Sequence, residues 1–196
     1  MQLFDWLEQL DRQTFIFIHT GFNNYYLDQL MLLARNALTW IPLYAGLLIY
    51  IVTKHKKIAL PFILVTLLTF AITDYVSASV IKPYVGRLRP CYAPTLAGVI
   101  RNIIDCGGKD GFPSTHASNH FGMAMFWFCS IYQLTGRKWY WLMAWAALIC
   151  FAQVYVGKHY PFDVSGGALF GTVTGYLMWL VFKRWVTSAK IKKTHG

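Results

Sequence analysis

Ile81-Lys82-Pro83-Tyr84-Val85-Gly86-Arg87-Leu88-Arg89-Pro90 sets three cations and two prolines directly behind a long apolar run that ends in Ala78-Ser79-Val80. A run of that length reads as a helix crossing a bilayer. Cations gathered so close to the end of such a helix call for an anion. Working outward from this junction, five apolar segments approach or reach the roughly 17–25 residues that span a membrane as helix. They cover residues 38–53, 57–81, 117–134, 138–156 and 162–182. The runs are continuous rather than alternating, which excludes a strand-built barrel. Only 13% of the 196 residues are charged and 56% are hydrophobic, against about 25% charged in a soluble domain. The expected fold is all-α: a polytopic transmembrane helical bundle in one domain. Residues 1–36 form its N-terminal helices, 37–186 the bundle and 187–196 a basic tail.

The net charge of +10 is explained by where it sits. Lys54, Lys56 and Lys57 lie between two apolar runs, and Arg137 and Lys138 between another two. Lys183, Arg184, Lys190, Lys192 and Lys193 follow the last, and no acid accompanies any of these groups. Under the positive-inside rule they face the cytoplasm. Lys82, Arg87, Arg89, Arg101, Lys109 and Lys158 fall on the opposite side, mixed with Asp105, Asp110 and Asp163. Topology therefore accounts for the basic pI, and nucleic acid is not an expected partner.

Residues 1–20 place Leu3, Phe4, Leu7, Leu10, Phe15 and Ile18 at helical spacing among Asp5, Glu8, Asp11 and Arg12. This pattern suits an amphipathic helix lying at the interface. No cleavable signal is expected, because Asp5 and Glu8 stand where a basic start would be. Gly21-Phe22-Asn23-Asn24 is a break. A short helix over 25–36 follows, either separate from the span at 38–53 or continuous with it.

Asp74 lies inside a span and needs a buried partner; Arg12, His19 and Arg35 are candidates. Gly167, Gly171 and Gly175 form a stripe that lets helices approach closely, read here as internal packing. Cys129 and Cys150 are read as packing residues. Cys91 and Cys106 share the long loop of the non-cytoplasmic side, where oxidising conditions would allow a disulfide.

The polar constellations all fall on that same side. Lys82 and Arg89 are seven residues apart, with Pro83 preventing simple continuation of the helix and Gly86 allowing a turn. Arg offers a planar fork to phosphate oxygens and Lys a compact charge. Ser114, in Pro113-Ser114-Thr115-His116, reads as a helix N-cap that places His116 in the first turn. Free amides there favour an oxyanion, and His116 can serve as general acid. His120, one turn on, is read as structural. In His159-Tyr160-Pro161-Phe162-Asp163, Pro161 suits the first helical position. Asp163 then reaches back to His159, fixing its tautomer and leaving the other ring nitrogen as a nucleophile. Cations, an acid histidine and a His–Asp pair at one membrane face point to phosphoryl transfer from a phosphorylated lipid, with no metal-ligand cluster required.

These residues resemble the type 2 phosphatidic acid phosphatase superfamily, whose core is shared with vanadium haloperoxidases. The Lys-x6-Arg-Pro motif is Lys82 through Arg89-Pro90. Pro-Ser-Gly-His reads Pro113-Ser114-Thr115-His116. In Ser-Arg-x5-His-x3-Asp, His159 and Asp163 match, while Ala152-Gln153 stands for Ser-Arg. The resemblance covers about 57–182. It implies catalysis by His116, His159 and Asp163 through a phosphohistidine, with phosphate held by Lys82, Arg89, Ser114, Thr115 and Gln153. Neither a cofactor nor a metal is implied. Thr115 adds a side chain beside the phosphate. Gln153 replaces a permanent charge by a neutral amide, with Lys158 or Arg87 available to compensate. The implied setting is a bacterial inner membrane with the site facing the periplasm or outer surface. The implied substrate is undecaprenyl pyrophosphate. Alternatives are phosphatidic acid, phosphatidylglycerophosphate or lipid A, or a non-catalytic lipid-phosphate carrier on the same scaffold.

Overall fold

The computed structural model describes residues 2–101 and 103–194, with side chains over 3–101 and 103–187. The side chains of Lys190, Lys192 and Lys193, expected in the basic tail, lie outside that range. Eight α-helices make up the described chain: α1 Gln2–Gly21, α2 Tyr25–Arg35, α3 Ile41–Lys54, α4 Lys56–Tyr75, α5 Lys82–Val85, α6 Thr115–Thr135, α7 Trp141–Tyr155 and α8 Pro161–Thr194.

Three stretches are long and apolar enough to cross a membrane: Ala37–Lys54, Lys56–Val85 and Pro161–Thr187. Their outer faces expose Leu48, Ile49, Leu64, Leu67, Leu169 and Val173, as lipid-facing surfaces do. The other two expected spans differ for physical reasons. The first turns of α6 hold His116, Ser118, Asn119 and His120, which lower its hydropathy. It is the central helix, packed against α4, α7 and α8, so it needs little apolar surface toward lipid. The helix expected over 138–156 begins only at Trp141, and α7 is a shorter apolar helix. Phe62, Val65, Phe126, Trp127, Ile149 and Phe182 fill the core between these helices.

Two junctions settle what the sequence left open. Asn36 is extended and caps both neighbours: its N–H donates to Leu33 O, and its side chain accepts from Leu38 N. Helix α2 is therefore separate from α3. The helix does not continue simply through Pro83, as expected. A π-helical stretch, Val76–Ile81, leads from α4 into α5, which ends only at Gly86 with φ 61°. The wider turn absorbs the hydrogen bond that proline cannot make.

Asp74 pairs with none of the basic residues proposed for it. Its Oδ1 accepts from Asn119 Nδ2 at 2.9 Å, a neutral partner across α4 and α6.

The glycine stripe packs internally, as expected. A Cβ at Gly167, Gly171 or Gly175 would run into the Ser114, Ser118 or Gly122 carbonyl of α6, respectively. Helices α6 and α8 therefore touch backbone to backbone and start side by side, with Ser114 N donating to Asp163 O at 2.9 Å. Gly171→Ala has only backbone to push against. It should cost about 1–3 kcal/mol by overpacking, read as a lower unfolding temperature in detergent.

The opposite end carries the basic groups. The Thr53–Ile58 turn, Gln133–Leu134 at the end of α6 and Val186 of α8 line one cleft there.

Candidate active site

The paired starts of α6 and α8 bring two positive helix ends together, a natural anion site. The loop after α5 closes over it. Leu88 pairs with Asp110 in an antiparallel bridge. Arg89 N donates to Lys109 O at 2.9 Å and Gly111 N to Arg87 O at 2.6 Å. A Cys91–Cys106 disulfide ties the loop's two ends. Buried Lys82 donates through Nζ to Asp110 O and Gly111 O, each at 3.1 Å. Arg89 Nε donates to the same Asp110 carbonyl at 3.1 Å, and its Nη1 to Cys106 O. Two cations seven residues apart thus converge on one carbonyl because the loop folds back.

Ser114 is the N-cap of α6: its Oγ accepts from Ala117 N at 3.4 Å. Its own N–H is taken by Asp163 O. Ser114, expected as a phosphate ligand, thereby ties the starts of α6 and α8 together. The first-turn amides of Thr115 and His116 have no intrahelical partner, and the Thr115 hydroxyl is buried with no partner among the described residues. His120 is structural, as read: its Nδ1 donates to His116 O at 2.8 Å. Burial pushes His116 down to about 3, and the charges of His120, Arg35, His159 and Arg89 act in the same direction. A bound phosphate dianion would oppose that cationic field and favour the imidazolium.

His159 is 3% exposed and its Nδ1 lies 3.5 Å from Asp163 Oδ2. Burial pushes it down to about 4, against the opposing pull of Asp163. The imidazole is therefore neutral at physiological pH, the form a nucleophile requires. Asp163 itself is held more tightly elsewhere. Oδ2 accepts from Tyr160 N at 3.0 Å and Oδ1 from Arg87 Nη1 at 2.6 Å. Arg87 continues through Nη2 to Asp11 Oδ2 at 2.6 Å, and its guanidinium lies over the Tyr160 ring. Asp11 Oδ1 also accepts from Phe162 N at 2.8 Å. The N-terminal helix therefore caps α8 and completes a chain Asp11–Arg87–Asp163–His159.

Arg87 is thus committed to two carboxylates and does not stand in for the missing arginine of the third motif. Sequence reasoning also missed Asp11, placing it on the polar face of α1. The available signal was its i, i+4, i+8 register with Phe15 and His19, all three fully or almost fully buried. Gly111 was missed as well; a Cβ there would strike Asp163 Oδ2.

Gln153 is 1% exposed, and its Nε2 has no partner among the described residues. Lys158 Nζ donates to Cys106 O at 2.7 Å, the carbonyl that Arg89 also grips. Burial, then the charges of Arg89 and Arg35, push Lys158 down to about 8. The positive-φ turn at Gly157 (85°) sets Lys158 and His159 beyond α7, with α1 His19 packed against that glycine. The charge of Arg89 is felt at both His116 and His159, and that of Lys82 at His159.

Residues 59–187 match the family described as the PAP2 superfamily. A protein named lipid A 4'-phosphatase from Bacteroides thetaiotaomicron is 32% identical over 185 residues, covering 91% of this chain and 80% of that one. An Escherichia coli protein named putative undecaprenyl-diphosphatase YbjG is 27% identical over 142 residues, covering 72% and 66%. The solved phosphatidylglycerolphosphate phosphatase of Bacillus subtilis has the same fold, with a TM-score of 0.66 at 20% identity, covering 93% of this chain and 87% of that one. With these matches beside the apolar helices, the chain belongs to the PAP2 superfamily and is a membrane lipid phosphatase, a hydrolase of phosphate monoesters or diphosphates.

Proposed function

We propose that the protein removes a phosphate from a lipid A-type glycolipid, through a phosphohistidine, at the outer side of a bacterial inner membrane. The observation that carries the reaction is the meeting of His159, His116 and the Lys82–Arg89 loop at the paired starts of α6 and α8. In the first step His159 Nε2 attacks phosphorus. A P–N bond forms, the P–O bond to the lipid breaks, and His116 gives its proton to the leaving oxygen. Asp163 supports the charge gained by His159, and Lys82, Arg89, the Thr115 hydroxyl and the first-turn amides hold the phosphoryl oxygens. In the second step water attacks phosphorus, His116 takes its proton, and the P–N bond breaks to release phosphate.

The substrate class rests on the extent of the likeness. Similarity to the Bacteroides lipid A 4'-phosphatase takes in 91% of the chain, that to the undecaprenyl-diphosphatase relative 72%. Undecaprenyl pyrophosphate, expected from sequence, accordingly becomes the second choice. The basic groups at the opposite end support the orientation, under the positive-inside rule.

The test is phosphate release by the purified protein from lipid A, undecaprenyl pyrophosphate, phosphatidic acid and phosphatidylglycerophosphate. The expected result is a kcat/KM for lipid A about tenfold or more above the others, a differential of about 1.4 kcal/mol. Preference for undecaprenyl pyrophosphate would overturn the substrate assignment and leave the reaction intact.

A further inference from the structure

The third motif of this chain lacks its arginine, and neither Gln153 nor Arg87 supplies a free guanidinium. A candidate replacement is Arg35, the last residue of α2, a helix outside the three sequence motifs.

Helix α2 packs against α7, the helix that carries Gln153. The contact is made by Met31 and Ala34 against Ala152, Tyr155 and Val156. Ala34 precedes Arg35, and Ala152 precedes Gln153, so both polar residues stand on the helix pair that this cluster joins. The placement is anchored from both ends of α2. Asp28 accepts from Arg101 Nη1 at 2.9 Å and from the Tyr155 hydroxyl at 2.7 Å. Trp40 Nε1 donates to Ala34 O at 2.8 Å.

A cation in the last turn of a helix ordinarily serves the helix dipole. Arg35 does not fit that role well, since none of its nitrogens donates to a carbonyl at the end of α2. Its Nε is buried and has no acceptor among the described residues. The charges felt around it are those of the phosphate wall. Burial and then Arg89 lower its pKa, and its own charge helps to lower those of His116 and Lys158. A half-buried guanidinium beside other cations, with no carboxylate bound to it among the described residues, is an unfavourable arrangement unless an anion shares the space.

We propose that Arg35 supplies, from α2, the phosphate-gripping guanidinium that position 153 lacks, with the Gln153 amide as a neutral donor beside it. The charge of the third motif has in effect moved from α7 to the neighbouring helix. Arg35 is then a substrate-binding residue, sharing the cationic wall with Arg89 and Lys158. The inference rests on the reading of this site as one of phosphoryl transfer.

Orthovanadate, a phosphoryl analogue, tests it without reference to any lipid. Its affinity is measured on the full chain in detergent for wild type, Arg35→Ala, Arg35→Lys and the double variant Arg35→Ala/Gln153→Arg. Loss of a charge-assisted hydrogen bond should weaken vanadate about tenfold or more in Arg35→Ala. Arg35→Lys should fall between that variant and wild type, and Gln153→Arg should restore most of the loss. Unfolding temperatures of the same samples separate weakened binding from misfolding, and Arg35→Lys carries the test if the alanine variant fails to fold. Affinity within twofold of wild type in Arg35→Ala would overturn the proposal. A loss that Gln153→Arg does not recover would also overturn it. Lipid A turnover is scored separately, so a wrong substrate assignment leaves the vanadate result standing.

Discussion

Replacing His159 by alanine should abolish phosphate release from every lipid that the wild type hydrolyses. In the proposed first step its Nε2 is the attacking atom, so its removal takes away the covalent route rather than weakening one contact. Losses of a catalytic nucleophile in other hydrolases reach about 10⁴–10⁶ in kcat, and a fall on the order of 10⁴ or more is expected here. Folding should be largely spared. The buried ring makes no hydrogen bond shorter than its 3.5 Å approach to Asp163, while Asp163 keeps Arg87 and the Tyr160 amide. The measurement is phosphate release from the purified variant, paired with acid-labile labelling of the protein by a radiolabelled phosphate ester. Labelled His159→Ala protein, or turnover within tenfold of wild type, would sink the phosphohistidine route.

Replacing Arg87 by alanine should have the largest effect on stability. Its two bridges, each 2.6 Å, join carboxylates whose side chains are 0% exposed. Burial already pushes the Asp11 carboxyl up, with the Arg87 hydrogen bond acting against it. Without the guanidinium, two buried carboxylates face each other uncompensated, at a cost of about 3–5 kcal/mol. Activity should fall as well, because Asp163 loses the partner that aims it at His159. Unfolding in detergent measures the first effect and lipid phosphate release the second. In an Asp11→Asn background the stability cost should shrink, because one of the stranded charges is already gone; an undiminished cost would show that the ion triad is not its source.

The missed residues share a physical reason. Lys82, Arg89, His116, His159 and Asp163 belong to short local patterns in which proline, a capping serine and fixed spacing place a side chain within its own turn. Those patterns are legible in a linear sequence. Asp11 and Gly111 act on segments far away in the chain: only the register of Asp11 with Phe15 and His19 marks the one, and nothing beside Gly111 marks the other. Asp11 looked like any polar residue of an amphipathic helix until α1 proved to bury it against the start of α8. Arg87 sat inside a legible motif, yet its partners lie 76 residues away on either side. Spacing alone could not tell a phosphate ligand from a structural ion.

By itself, the sequence determined an all-helical membrane chain and singled out His116, His159 and Asp163 as its candidate acid–nucleophile set. Long apolar runs must be helices in lipid, where every backbone polar group needs an internal partner, and the motif spacings are local. Tertiary structure alone decided how that set is held. Backbone contact between α6 and α8 along Gly167, Gly171 and Gly175 brings His116 to His159. The loop closed by Cys91–Cys106 turns Lys82 and Arg89 onto one carbonyl. Helix α1, read from sequence as lying at the interface, brings Asp11 to Arg87 and the start of α8. These are contacts between distant segments, fixed by packing and charge pairing, and no local pattern encodes them.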